Sequence, residues 1–199
     1  VKMCFASLFT PRATAYREDK GFKHNQVYLS VGVQRMVNSL ASGVMFSLHP
    51  VTGDRSVLVI EAAWGLGEFV VQGKVNPDEF TVRKSNLEII DRKVGVKKTM
   101  LKLLPQGGTR EEAVTPELQN KPCLEDEQVR KLAAYAIKLE EHYKLAQDME
   151  WALDADENKI YMMQSRPETG WTEKARLDTF KAKEETRKLK KKVEFTKER

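Results

Sequence analysis

Histidine and cysteine are scarce in this 199-residue chain, which holds three of the first and two of the second. His24, His49 and His142 are scattered, with no cysteine or second histidine at ligand spacing, so the usual zinc sites are excluded. Cys4 and Cys123 show neither metal nor redox spacing and read as free thiols of a reducing cytoplasm. There is no Gly-x-Ser-x-Gly elbow, no phosphate loop ending in Gly-Lys-Ser/Thr, no dinucleotide fingerprint and no segment presenting a nucleophilic histidine. No apolar run approaches the ~18 residues of a membrane-spanning helix. The opening residues, "VKMCFASLFT", carry no charged-then-apolar signal and do not begin with Met, and they read as the middle of a domain.

What is present is a globular composition, 41% hydrophobic and 32% charged, enough for one domain or a large piece of one. The net charge of +5 belongs to one end. Residues 172–199 hold eleven Lys or Arg against six Asp or Glu, which leaves the two signs balanced in the rest. A stripe such as "RKLKKK" (187–192) suits either a solvated helical tail or an acidic surface. Aromatic residues that would stack on single-stranded nucleic acid are few among these charges, so neither nucleic acid nor membrane is the expected partner.

The pattern predicts an α+β chain, with more strands than helices and no internal repeat. Thr10 and Pro11 open a helix over "TPRATAYRED". "VYLSVGVQRMV" (27–37), "SGVMFSL", "SVLVIEAAW", "DEFTVRK" and "LEIIDRKV" read as strands, and "PQGGTREEAVTPELQNKP" as a loop region. Val129, Leu132, Ala133, Ala136, Leu139 and Tyr143 fall at helical spacing and predict an amphipathic helix over 126–144. "DMEWALD" and "KIYMMQS", joined by "ADEN", read as a β-hairpin.

That hairpin carries the most informative constellation. Asp148 and Glu150 lie two apart and share one face of their strand, as do Gln164 and Arg166 on the next. Paired, they put two carboxylates, an amide and a guanidinium on one surface. Carboxylate oxygens suit a hard cation such as Mg²⁺, and a guanidinium suits phosphate. An exposed sheet face with an ordinary salt bridge fits the same spacing. Gly65 and Gly67 in "AAWGLGEFVVQG" could bring backbone N–H groups to an anion or simply make a tight turn. The stretch "VQRMV" (33–37) could bed a flat ring or be merely a strand.

Taken in order, "ASLFTPRATAYR", "LSVGVQRMV", "SGVMFSLHPVTG", "EAAWGLGEFVVQGKVNPDEFTVRK", "QDMEWALD" and "QSRPET" resemble the nucleotide-binding domain of the phosphoenolpyruvate synthase and pyruvate phosphate dikinase family. The resemblance covers residues 1–170 and leaves 171–199 as a basic tail or linker. It implies an ATP-grasp fold with a mixed or antiparallel sheet and packed helices, incomplete here because the upstream lobe is absent. It implies ATP and Mg²⁺ as cofactors, with Glu150, Gln164 and Asp148 at the metal and Arg166 and Gln164 on the phosphates. Glu150 and Arg166 become the catalytic residues, and Gln34, Arg35, Met36 and Val37 the adenine hinge. The implied reaction moves phosphate from ATP to a histidine on a partner domain, for onward transfer to pyruvate. The upstream lobe and histidine domain would lie on the same or a separate chain, so the chain alone is expected to be inactive. The rivals are the ATP-binding subunit of a phenylphosphate synthase, with phenol as acceptor, and a non-catalytic binding module.

Overall fold

The computed structural model describes residues 1–171, and the expected basic tail of residues 172–199 lies outside them. The chain divides into two units, Val1–Met36 and Val37–Arg199. The first holds two helices, α1 (Lys2–Ala6) and α2 (Pro11–Asp19), and two 3₁₀ turns. Thr10 caps α2 as expected, its hydroxyl accepting from the Ala13 N–H at 3.3 Å, with Pro11 in the first turn. Arg17 is buried, donating from Nε to His24 Nδ1 at 3.0 Å and from Nη2 to the Thr14 hydroxyl at 3.3 Å.

The second unit is built on a six-stranded antiparallel sheet. Its strands are β1 (Ser39–Phe46), β2 (Val57–Trp64), β3 (Asp78–Arg83), β4 (Ile89–Lys93), β7 (Gln147–Asp154) and β8 (Ile160–Pro167), in the order β4-β3-β2-β1-β7-β8. β5 (Thr99–Leu103) and β6 (Thr109–Ala113) form a separate hairpin. The short helices α3 (Glu68–Val71) and α4 (Pro116–Gln119) lie in the connections, and α5 (Asp126–Tyr143) crosses the sheet. All pairings within the two sheets are antiparallel, so the described residues form an α+β structure.

Alternation explains the core. Leu58, Ile60, Ala62 and Trp64 of β2 share a face with Phe80 and Val82 of β3, Ala41 and Met45 of β1, and Met149, Trp151 and Leu153 of β7. Val129, Leu132, Ala133 and Ala136 of α5 cover that face, each at the spacing the sequence shows. Each large apolar side chain buried this way contributes about 1.5–3 kcal/mol. Helix α5 begins at a capping box between Glu125 and Gln128 and ends at Lys144, whose φ is +59°.

Two expectations change. Residues 27–37 form no strand: they are largely exposed, without ladder partners, Val33 at 84% and Tyr28 at 87%. β-branched residues favour extended backbone, but a strand needs a neighbour to bond. The loop region conversely contains β6, paired residue for residue with β5 from Leu103–Thr109 to Thr99–Ala113.

Candidate functional site

β7 and β8 are joined through residues 155–159. Asp154 Oδ1 accepts the N–H groups of Asp156 and Glu157, both at 2.9 Å, and so turns the chain back on itself. The resulting register sets Asp148 opposite Arg166 and Glu150 opposite Gln164. The four predicted side chains therefore meet on the sheet face turned away from α5.

A bulge makes this possible. Trp151 faces Met162 while Glu150 faces Gln164, so Met163 is the extra residue. Met162 and Gln164 would share a face in a regular strand. Here Met162 packs against the core, and Gln164 is free to stand with Glu150.

The two pairs differ in saturation. Arg166 donates from Nε to Asp148 Oδ2 at 2.8 Å, and its Nη2 lies 2.8 Å from the same oxygen. The Asp148 side chain is 17% exposed and that of Arg166 is 59% exposed. That leaves more than half the N–H donors of the guanidinium unused. Among the described residues neither Glu150 nor Gln164 has a side-chain hydrogen bond or ion pair, although Glu150 is half-buried. A half-buried carboxylate without a counter-charge, beside an amide oxygen, is a donor set for a hard cation that keeps other oxygen ligands. One or two carboxylates suffice for Mg²⁺ in that mode, so the residues fit the ion the resemblance implies. They do not make a closed cage: the described residues hold no cluster of three or more His, Cys, Asp or Glu able to do so.

The floor beside the site is apolar. Val44 and Phe46 of β1 lie opposite Glu150 and Asp148. The register that pairs Met45 with Ile60 sets Val44 beside Glu61 of β2. Glu61 is half-buried, and burial first, then the charge of Glu79 across from it on β3, raises its carboxyl above the usual range. Sequence reasoning passed over Glu61, although one carboxylate within the apolar run "VLVIEAAW" is a visible signal.

Two other candidates belong to other segments of the chain. Gln34, Arg35 and Met36 are exposed residues at the end of the first unit, and half-buried Val37 opens the second. The Gly65–Gly67 turn has a structural use. Gly65 has φ +76° and packs on the Leu101 backbone, Leu66 N–H donates to Leu101 O at 2.8 Å, and Ser42 Oγ donates to Gly65 O at 2.5 Å. Its polar groups tie the β5–β6 hairpin to the sheet. A cavity of about 710 Å³ in the first unit, walled by side chains such as Leu8, Tyr16 and Phe22, is lined by none of the predicted site residues.

No helix among the described residues is long and apolar enough to cross a membrane. Comparison with known proteins places the chain. Residues 1–187 match the family model described as pyruvate phosphate dikinase, AMP/ATP-binding domain. The phosphoenolpyruvate synthase of Pyrococcus furiosus is 45% identical over 191 residues, covering 93% of this chain and 23% of the relative. The probable phosphoenolpyruvate synthase of Methanocaldococcus jannaschii is 44% identical, covering 93% of this chain and 15% of the relative. That of Archaeoglobus fulgidus is 46% identical, covering 85% and 22%. The chain thus spans a quarter or less of the length of each of these three relatives. With an AMP/ATP-binding model matched over nearly all of its length, the chain belongs to the pyruvate phosphate dikinase family as an ATP-binding domain.

Proposed function

We propose that this chain is the ATP-binding part of a phosphoenolpyruvate synthase-like dikinase with an ATP-grasp architecture, working in the cytoplasm. It would pass phosphate from ATP to a histidine on a partner domain, for onward transfer to pyruvate. Residues 1–170 would form the nucleotide-binding region and 171–199 a linker or tail. The observation that carries the reading is the unsatisfied Glu150–Gln164 pair beside the Asp148–Arg166 pair, on one face of the closing hairpin.

Phosphoryl transfer needs positioning and charge stabilisation more than covalent help from the protein. Arg166 is permanently charged and is held ready by Asp148, with spare donors for phosphate oxygens. Glu150 and Gln164, with Asp148 beside them, would hold Mg²⁺, which when bound offsets the charge of the phosphate oxygens. Val44 and Phe46 flank Glu150 and Asp148 on the same face, and apolar neighbours that displace water would strengthen each polar contact beside them. Gln34 to Val37 would receive the adenine ring, with Met36 against its face. A nucleotide-bound structure with adenine more than about 5 Å from Met36, beyond contact range, would reassign that segment.

The test uses the full-length protein and labelled ATP. Glu150→Ala and Arg166→Ala should each lower phosphorylation of the partner histidine by about 100-fold, the scale of losing one preorganised electrostatic contact. Near-wild-type rates in both variants would overturn the assignment. The 199-residue chain alone should bind nucleotide weakly in a Mg²⁺-dependent manner and produce no sustained AMP.

A further inference from the structure

Among the described residues β8 is an edge strand with β7 as its only neighbour in the sheet, and its last residues include Arg166. Edge-strand ends fray readily unless something ties them down. Here the tie is visible. Glu168 N–H donates to Ala146 O at 2.8 Å, and Ser165 Oγ donates to Gln147 Oε1 at 2.9 Å. The Glu168 carboxylate then accepts the N–H groups of Gly170 at 2.9 Å and Trp171 at 3.1 Å, curling the chain. Trp171 reaches the β1–β2 turn, where its Nε1 donates to Pro50 O at 2.8 Å.

The turn is shaped to receive it. Gly53 has φ +75°, a conformation side chains other than glycine's rarely adopt. A Cβ there would also lie 2.7 Å from the Trp171 ring, so the indole occupies the space a side chain would need. The turn is stiffened from within. His49 N–H donates to Asp54 O at 2.9 Å and Gly53 N–H to His49 O at 2.8 Å. His49 Nδ1 accepts from Val51 N–H at 3.2 Å and Thr52 N–H at 3.4 Å.

We propose that Trp171, seated on the Gly53 turn, is a clasp that holds the outgoing end of β8, and with it Arg166, in register on β7. The strap passes from β8 across the start of β7 to the turn that follows β1. It laces three adjacent strands together at the end of the sheet that carries Asp148 and Arg166. Trp171 acts through Arg166 and is a positioning residue. Its consequence for nucleotide binding rests on the reading of Arg166 given above.

Amide hydrogen exchange on the 199-residue chain tests the clasp without reference to activity. Trp171→Ala removes both ring and donor, Trp171→Phe keeps only a ring, and Gly53→Ala fills the seat while leaving the strap's own residues intact. The Arg166 and Glu168 amides should exchange at least ~10-fold faster in Trp171→Ala and Gly53→Ala, with Trp171→Phe between them and wild type. Amides of Met149, Trp151 and Leu153 should keep their protection. Unchanged exchange at Arg166 and Glu168, or an equal rise throughout β7, would overturn the clasp. In parallel, titration with Mg²⁺ and ATP should show several-fold weaker binding by Trp171→Ala. Faster exchange with unchanged nucleotide affinity would uphold the clasp and overturn instead the assignment of Arg166 to phosphate.

Discussion

Two carboxylate–cation pairs in the second unit show how alike chemistry serves unlike ends. Asp78 and Lys97 are fully buried and bonded to each other. Asp78 Oδ1 also accepts Gly95 N–H at 3.0 Å, Asp78 Oδ2 accepts Cys123 N–H at 2.9 Å, and Lys97 Nζ donates to Gly95 O at 2.8 Å. Both side chains are sealed from solvent, so neither is presented to a ligand. Burying two charges costs several kcal/mol per ion, which is offset only when such additional hydrogen bonds are complete. The pair therefore acts as a joint, fastening the start of β3 to the segments before β5 and before α5. Asp148 and Arg166 are only partly buried and keep unused donors, beside a carboxylate with no partner among the described residues. Burial and bonding mark the structural pair, and spare capacity marks the one proposed to bind.

The largest expected effect tests that contrast directly. Lys97→Met should strand a buried carboxylate and cost about 3–5 kcal/mol. In a domain of this size that lowers Tm by roughly 10 °C or more. Arg166→Ala should cost at most ~1 kcal/mol, because exposed pairs contribute little to folding. Thermal unfolding of both variants decides the matter: comparable losses would break the distinction between joint and binding pair.

Glu61 sharpens the comparison from a third position, a half-buried carboxylate with neither a full hydrogen-bond set nor a cation among the described residues. Burial, reinforced by Glu79, raises its carboxyl in the folded protein. The folded state then binds the Glu61 proton more tightly than the unfolded state does. Its contribution to stability is fully present below the ordinary carboxylate range and is lost as pH rises through the raised folded value. Glu61→Gln removes that dependence. The variant should melt a degree or two above wild type at pH 7, the two converging near pH 4, in thermal scans across that range. A variant less stable than wild type at pH 7 would mean that the ionised carboxylate is held by favourable contacts.

How far the sequence discloses such features depends on whether they are local. Helix α5 and the capped start of α2 were legible, because helical spacing and caps involve residues a few positions apart. The hairpin was legible too, and its two-residue spacings marked four side chains that the register brings onto one face. The bulge at Met163 was not, since only the pairing reveals an extra residue. β6 reads "TREEA", with no apolar alternation, because its hairpin is mostly exposed and supplies little of the core. Residues 27–37 fail in the opposite sense, having strand-like composition and no strand. Lys97 is followed by Lys98, and nothing local tells the buried ammonium from the exposed one. Its partner Asp78 lies nineteen positions away, and that distance carries the information.

The smallest expected effect uses the two thiols as reporters of the buried joint. Cys4 is exposed and Cys123 is buried. Burial pushes the Cys123 thiol far above its ordinary value, and the charge of Asp78 pushes it in the same direction. A thiol must ionise to attack a disulfide reagent, so both access and chemistry hold Cys123 back. Native protein should therefore titrate one thiol promptly and the second only on unfolding in denaturant. The labelling rate of Cys123 then measures opening of the cluster that Asp78 and Lys97 close, because its own N–H is bonded to Asp78. Lys97→Met should speed that labelling, while Arg166→Ala should leave it unchanged, since Arg166 bonds to Asp148 and not to this joint. Two promptly reactive thiols in the wild-type protein would mean that the cluster opens readily, and the division between a sealed joint and an open binding pair would not hold.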